Sequence, residues 1–370
     1  MKKEDNYNNK KKVLVFGLSN NVGGIETFYF EYYKNFDFSK FQIDFAVIGK
    51  KIAFENEFLL KNSKVFKLPS EKKHPIKYCR EIKKILKNRK YDIVHYNMLS
   101  AANILPLVIA KKMEVERIIA HSHNSNIPKG ILRKILHCIN KKKIFKYANE
   151  FLACSDNAGK WLFNGKKFSI VKNVIDINRF IYDEKLRITA RKEMQLEEKF
   201  IIGHIGRFSE QKNQKFIIYM FAKLIKDMPN AYLIMVGNGN KKKILKLIDK
   251  LNLKKYISII EATNETEKFY NIFDVFILPS KFEGLPIVAL EAQSCELPCI
   301  LSKNISSETK INRNVEFLPI DDYEQWIEAI KKIGNGKKYM MLRSKIFEKE
   351  FTVDKKTNKL QQYYLDKNSY

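Results

Sequence analysis

The 370-residue chain is longer than one hydrophobic core usually serves, so two domains of ordinary size are the first expectation. With 45% hydrophobic and 12% aromatic residues it can fill both cores, which excludes extensive disorder outside the termini. Its 69 Lys plus Arg outweigh 41 Asp plus Glu, a net charge of +28 that reflects either an AT-rich codon usage or attraction to a polyanion, nucleic acid or anionic membrane.

The opening MKKEDNYNNKKK is polar, and the VLVF after it is too short for a secretory core. No stretch approaches the ~20 apolar residues that span a bilayer, so a soluble or peripheral protein is expected. Cys79, Cys138, Cys154, Cys295 and Cys299 show no C-x-x-C and no framework spacing, which points to a reducing cytoplasm.

From Val13 onward, β-branched runs alternate with amphipathic stretches, the pattern of parallel sheets covered by helices. VLVF (13–16), QIDFAVI (42–48), DIVHY (92–96), RIIAH (117–121) and EFLAC (150–154) read as strands of a first unit. Helices are expected between them, for instance over 26–36 and 76–89. A second series runs through FIIGHIG (200–206), AYLIMVG (231–237), YISII (256–260), DVFILPS (274–280) and PCILS (298–302). The boundary falls in SIVKNVIDINRF (169–180), giving domains 1–176 and 177–350. The last stretch, 351–370, is a frayed tail or a helix returning to the first domain, with Leu360, Tyr363 and Tyr364 at helical spacing. The fold class is α/β, two Rossmann-like doubly wound domains facing a central cleft, where open α/β sheets place ligands.

Each half opens with a strand, a loop and a helix. In GLSNNVGGIE (17–26), Gly23 and Gly24 precede a helix whose amides suit an anion, although tight turn packing explains them equally well. The spacing is not G-x-G-x-x-G, which disfavours a nicotinamide cofactor. In GRFSEQKN (206–213), Arg207 and Lys212 could clamp a diphosphate, or be two solvated charges.

KFEGLPIVALE (281–291) places Glu283 just outside a helix start, with Pro286 in the first turn and the amides of Gly284 and Leu285 turned into the same space. Glu291 lies further along that helix. One carboxylate could meet a sugar ring while the other accepts two ribose hydroxyls; the plainer alternative is a cap-side and a surface glutamate. In HSHN (121–124), His121 and His123 share one face of a strand end, with His95 nearby. His123 reads as a substrate contact and the other two as hydrogen-bonded structural histidines, while a zinc site lacks a spaced Cys or acidic ligand. Two basic stretches, 77–90 and 132–146, carry an apolar stripe rimmed by lysines, which suits a core-facing helix or one lying on anionic lipid.

GGIE, HSHN, KNVIDINRF (172–180), GRFSEQKN and DVFILPSKFEGLPIVALEA (274–292), in this order, resemble the retaining family 4 glycosyltransferases of the GT-B fold. GGIE with HSHN resembles in particular bacterial enzymes of capsular or extracellular polysaccharide assembly. NVID at 173–176 departs from the Asn-Gly-Ile-Asp of many relatives.

The resemblance implies metal-independent transfer from a UDP- or GDP-linked sugar to a lipid-linked glycan, with no cofactor beyond that co-substrate. It assigns Glu283 and Glu291 to the E-x7-E pair, Arg207 and Lys212 to the diphosphate, and Gly23 and Gly24 to the first-domain glycine loop. His123 falls near the donor sugar, and Gly284, Leu285 and Pro286 complete the donor-binding segment. The expected place is the inner face of the cell membrane, reached through the basic N-terminal domain. Alternatives are an epimerase or phosphorylase of the same fold, or a nucleic-acid-binding protein. Against the last, no recognition helix or basic–aromatic module is evident, and no nucleic-acid partner is expected.

Overall fold

The computed structural model describes residues 10–124, 130–336, 345–354 and 356–366. The chain divides into two compact units, 1–174 with 353–370, and 175–352.

The first unit contains β1 (Lys11–Phe16), α1 (Gly24–Lys34), β2 (Phe41–Ile48), α2 (Glu55–Leu60), β3 (Val65–Leu68), α3 (Pro75–Arg89) and β4 (Ile93–Met98). It continues with α4 (Leu105–Lys112), β5 (Arg117–Ser122), α5 (Ile131–Tyr147), β6 (Glu150–Ala153), α6 (Asp156–Phe163) and β7 (Ser169–Ile170). Its seven-stranded sheet has the order β3-β2-β1-β4-β5-β6-β7, and every pairing is parallel.

The second unit opens with α7 (Glu184–Glu193), β8 (Phe200–Ile205), α8 (Gln214–Asp227), β9 (Ala231–Val236), α9 (Lys242–Lys250), β10 (Ile257–Ile260) and α10 (Thr266–Ile272). Then come β11 (Val275–Leu278), α11 (Ile287–Ser294), β12 (Cys299–Ser302), β13 (Val315–Leu318), α12 (Tyr323–Asn335) and α13 (Lys345–Glu350). Here the order is β10-β9-β8-β11-β12-β13, again all parallel. A last helix, α14 (Lys359–Leu365), belongs to the first unit.

Parallel strands covered on both faces are apolar throughout, which is why β8, β9 and β11 were legible as continuous hydrophobic runs. Helix starts follow capping chemistry: Asp183 accepts from the Leu186 amide and Asn358 from that of Gln361, so α7 and α14 begin where a short polar side chain replaces the missing backbone acceptor.

Among the described residues, buried charges appear with partners. In the first unit Arg117 binds Glu150 at 2.5 and 2.8 Å and donates to the carbonyls of Tyr363 and Tyr364, both at 2.7 Å, fastening α14 to β5 and β6. In the second, Arg187 and Arg191 converge on Asp274, and Arg187 also donates to the carbonyls of Asn271 and Phe273. That clamp ties α7 to the start of β11. An Arg fork suits several acceptors at once, and a charge taken from water needs them.

The two basic stretches part company. α3 buries Tyr78, Ile82, Ile85 and Leu86, so its stripe faces the core. α5 buries only His137 and Ile144 and leaves Ile131, Leu132, Ile135, Leu136 and Ile139 exposed, by 79%, 69%, 50%, 37% and 48%. Among the described residues, no helix is long and apolar enough to cross a membrane.

Candidate functional site

At the carboxyl end of the second sheet, the loops after β8 and β11 are laced together. The Lys281 amide donates to Gln211 O at 2.8 Å, Gln211 Nε2 to Phe282 O at 3.1 Å and Asn213 Nδ2 to Pro279 O at 3.2 Å. The lacing holds Lys212 Nζ 2.8 Å from Glu283 Oε1. Gly206 makes room for it: a β-carbon there would stand 3.3 Å from Lys212 Cδ and Cε, against the folded lysine stem.

The Lys212–Glu283 contact is ionic without an aligned hydrogen bond, for Glu283 Oε1 is buried and has no hydrogen-bond partner among the described residues. Ser280 Oγ, in the same loop, shares that condition. Buried polar atoms are nearly always paired, so the orphaned Ser280 hydroxyl beside that ion pair marks a place built for something further. Ser280 had no motif to announce it.

Below the pair, His204 donates from Nδ1 to Ile277 O at 3.0 Å and accepts at Nε2 from Gln214 Nε2 at 3.1 Å. Burial lowers its pKa to about 4, so it is a neutral strut. Gln214 Nε2 also donates to Arg207 O, fixing that backbone, while the Arg207 side chain is exposed.

α11 begins at Ile287, with Pro286 at its N-cap and no side chain capping the first amides. Pro286 therefore stands outside the first turn expected for it, its ψ of 117° being extended. Such an uncapped start suits an anion. Gly284 and Leu285 are buried just ahead of it. Glu291, only 8% exposed, accepts from Tyr270 Oη at 2.7 Å. It is thus no plain surface glutamate, and burial, reinforced by the Glu291 charge, drives the Tyr270 phenol well above its ordinary pKa. Tyr270 belongs to no motif and is brought to Glu291 by folding alone. A hollow of about 490 Å³ lined by Asn178, Arg179, Tyr182 and Asn271 includes none of the expected site residues.

In the first unit the loop after β1 leads into α1 with Gly23 at the N-cap. A β-carbon on Gly23 would sit 2.8 Å from Glu26 Oε2, whereas one on Gly24 would meet nothing within 4 Å. Packing inside the protein therefore does not demand a glycine at 24. Glu26 is itself held, accepting from the Ser19 amide at 2.8 Å.

His95, His121 and His123 lie side by side. Tyr29 Oη is 3.2 Å from Tyr364 Oη, which is 2.5 Å from His95 Nδ1, and His95 Nε2 is 3.0 Å from His121 Nδ1. The His121 and His123 ring centroids are 4.1 Å apart, and His123 Nε2 is 2.9 Å from Asn97 Oδ1. Burial lowers the pKa of His95 and of His123 to about 3, and that of His121 well below its ordinary value, so all three are neutral. His95 and His121 are hydrogen-bonded inside the sheet, and among the described residues no group of three or more His, Cys, Asp or Glu is arranged to hold a metal ion. Only His123 retains partial exposure.

Residues 187–348 match the family described as Glycosyl transferases group 1. The chain is 28% identical over 311 residues to EpsF of Bacillus subtilis (strain 168), named as a glycosyltransferase, covering 81% of each chain. It is 28% identical to an Escherichia coli UDP-Gal:alpha-D-GlcNAc-diphosphoundecaprenol alpha-1,3-galactosyltransferase, covering 76% of this chain and 77% of that one. To the capsular polysaccharide biosynthesis glycosyltransferase CapH of Staphylococcus aureus it is 26% identical, covering 77% and 79%. Among solved structures, HepE of Anabaena in complex with UDP and glucose superposes with a TM-score of 0.79 at 16% identity, covering 96% of this chain and 99% of that one. Taken with its two parallel sheets, these likenesses give the chain the Rossmann-like units of the GT-B fold, and over residues 187–348 it is similar to the group 1 glycosyltransferases.

Proposed function

We propose that the protein transfers a sugar from a nucleoside diphosphate donor, UDP- or GDP-linked, to a hydroxyl of a lipid-linked glycan during bacterial surface polysaccharide assembly, keeping the anomeric configuration and needing no metal. The observation that carries this reading is the Lys212–Glu283 pair beside the uncapped start of α11. Lys212, Arg207 and the amides of Gly284, Leu285 and the first turn of α11 after Pro286 receive the diphosphate; Glu283 and Glu291 receive the sugar and ribose hydroxyls. Gly23, Gly24 and His123 are the first unit's contribution to the donor. The likeness to an enzyme whose name contains a diphosphoundecaprenol acceptor supports the lipid-linked substrate.

The bond between the anomeric carbon and the phosphate oxygen breaks, its electron pair leaving with the diphosphate. Cations and helix amides stabilise that charge, which suits a cation-like sugar. The acceptor oxygen attacks from the face just vacated, and its proton passes to the departing phosphate oxygen. No side-chain base is needed, and Glu283 positions the sugar.

α5 supports a place on the membrane. It contains no Asp or Glu, and its exposed apolar ridge is accompanied by Arg133, Lys134, Lys141, Lys142, Lys143 and Lys146, a complement to an anionic bilayer.

A screen of nucleotide sugars with membrane extract, reading nucleotide release and the anomeric configuration of the lipid product by NMR, tests the reading. Isomerised nucleotide sugar without transfer would favour an epimerase, sugar phosphate formed from glycan and phosphate a phosphorylase, and an inverted product would refute retention.

A further inference from the structure

His123 reaches Asn97 through one ring nitrogen, and the other has no hydrogen-bond partner among the described residues. Asn97 cannot offer either end of its amide at will. Its Nδ2 donates to Phe16 O at 3.1 Å, and the reversed amide would set two oxygens against each other there. Oδ1 therefore faces His123 Nε2 at 2.9 Å and can only accept. A neutral imidazole with hydrogen on Nε2 has a lone pair on Nδ1, so the position of one buried amide decides what the histidine presents.

The frame around Asn97 is rigid. The residue is 2% exposed near the end of β4, opposite His121 of β5 in the parallel register. Gly17, at φ +96°, passes so close that a β-carbon would lie 2.0 Å from Asn97 O. The backbone of His123 is fixed as well, its amide donating to Met98 O at 3.0 Å, and Phe28 packs against the ring with centroids 4.9 Å apart.

We propose that Asn97 is a positioning residue that locks His123 as the Nε2–H tautomer, so that Nδ1 meets the donor as an uncharged hydrogen-bond acceptor. This rests on the reading above that His123 contacts the donor sugar. An acceptor of this kind takes a hydroxyl hydrogen. It has nothing to give a carboxylate, whose lone pairs it opposes. The preferred donors are therefore neutral sugars carrying a hydroxyl at that point, and nucleotide-linked uronic acids or the corresponding deoxy sugars are disfavoured.

The test begins with the unmodified protein labelled with 15N in histidine. Nδ1 of His123 should give the signal of an unprotonated ring nitrogen at pH 7, assigned by comparison with His123→Gln; a protonated Nδ1 overturns the proposal whatever the enzyme transfers. In Asn97→Ala the ring should become a mixture of tautomers, and kcat/KM for a neutral nucleotide hexose should fall by about tenfold or more, the worth of one lost hydrogen bond. Binding of the free nucleoside diphosphate should stay unchanged. An unaltered tautomer in Asn97→Ala also overturns the assignment. The ring signals are read without substrate, so a protein that turns over no donor would refute the functional reading and leave the tautomer result standing.

Discussion

The two units share a strand order but furnish the same topological places differently. β1 and β8 are the equivalent central strands, β4 and β11 their equivalent neighbours. At the ends of β4 and β5 the first unit sets uncharged groups, Asn97, His121 and His123, joined through His95 to Tyr364. At the ends of β8 and β11 the second sets ions, Lys212 and Glu283, with Arg207 on the same loop. Topology places both clusters at carboxyl ends of strands; side-chain chemistry then makes one cluster neutral and the other ionic.

The sharpest way to break that contrast is to remove the ions. Lys212→Ala and Glu283→Ala should each lower turnover by ~10²–10³-fold, the usual worth of one preorganised electrostatic contact, with unchanged far-UV circular dichroism. Near-normal rates in both variants would end the assignment. Next comes the clamp that shapes the second unit. Asp274 serves both Arg187 and Arg191 and accepts from the Ile201 amide at 2.7 Å, so Asp274→Ala strands two buried guanidinium groups. A loss of about 3 kcal/mol in denaturant unfolding is expected, because breaking a buried pair costs more than forming it gains.

Acid should sharpen the comparison. His95, His121 and His123 in the first unit are held neutral, whereas unfolded histidine titrates near 6.5. Folded values below the unfolded one mean that the unfolded chain binds more protons as pH falls. The stability these groups contribute is complete above about pH 6.5 and is lost below it, by up to about 1.4 kcal/mol per pH unit for each, until the folded values are reached, near 3 for His95 and His123. The second unit has His204 alone in this position, lowered to about 4. Hydrogen exchange at pH 4 to 5 should therefore show the first sheet opening before the second.

The smallest effect is expected at α5. Serine at Leu132 and Ile135 together should weaken co-sedimentation with phosphatidylglycerol vesicles by ~10-fold or more, since each removes one exposed side chain from the proposed bilayer contact. Folding stability should hardly move. Equal binding to neutral phosphatidylcholine would count against an electrostatic surface, and concentration-dependent self-association against a lipid one.

Much of this was legible beforehand, for identifiable reasons. Central strands show as apolar runs because helices cover both faces. β3, β7 and β13 escaped because edge strands are half exposed: Lys67 and Glu316 interrupt two of them, and β7 has only two residues. The acid and base of the Lys212–Glu283 pair were visible as motifs, since their roles follow from residue type at a strand end. Asn97, Ser280 and Tyr270 were not, because each matters through a neighbour brought near by folding. The apolar residues of α3 and α5 look alike in sequence, and only packing reveals that one helix spends them on the core.

Arg117 grips the carbonyls of Tyr363 and Tyr364, and Tyr364 in turn reaches His95. During synthesis, then, the ribosome delivers the whole intervening unit before the first one receives its closing piece. The nascent N-terminal half therefore emerges with Arg117 and His95 still lacking these partners, until the segment around residue 364 follows.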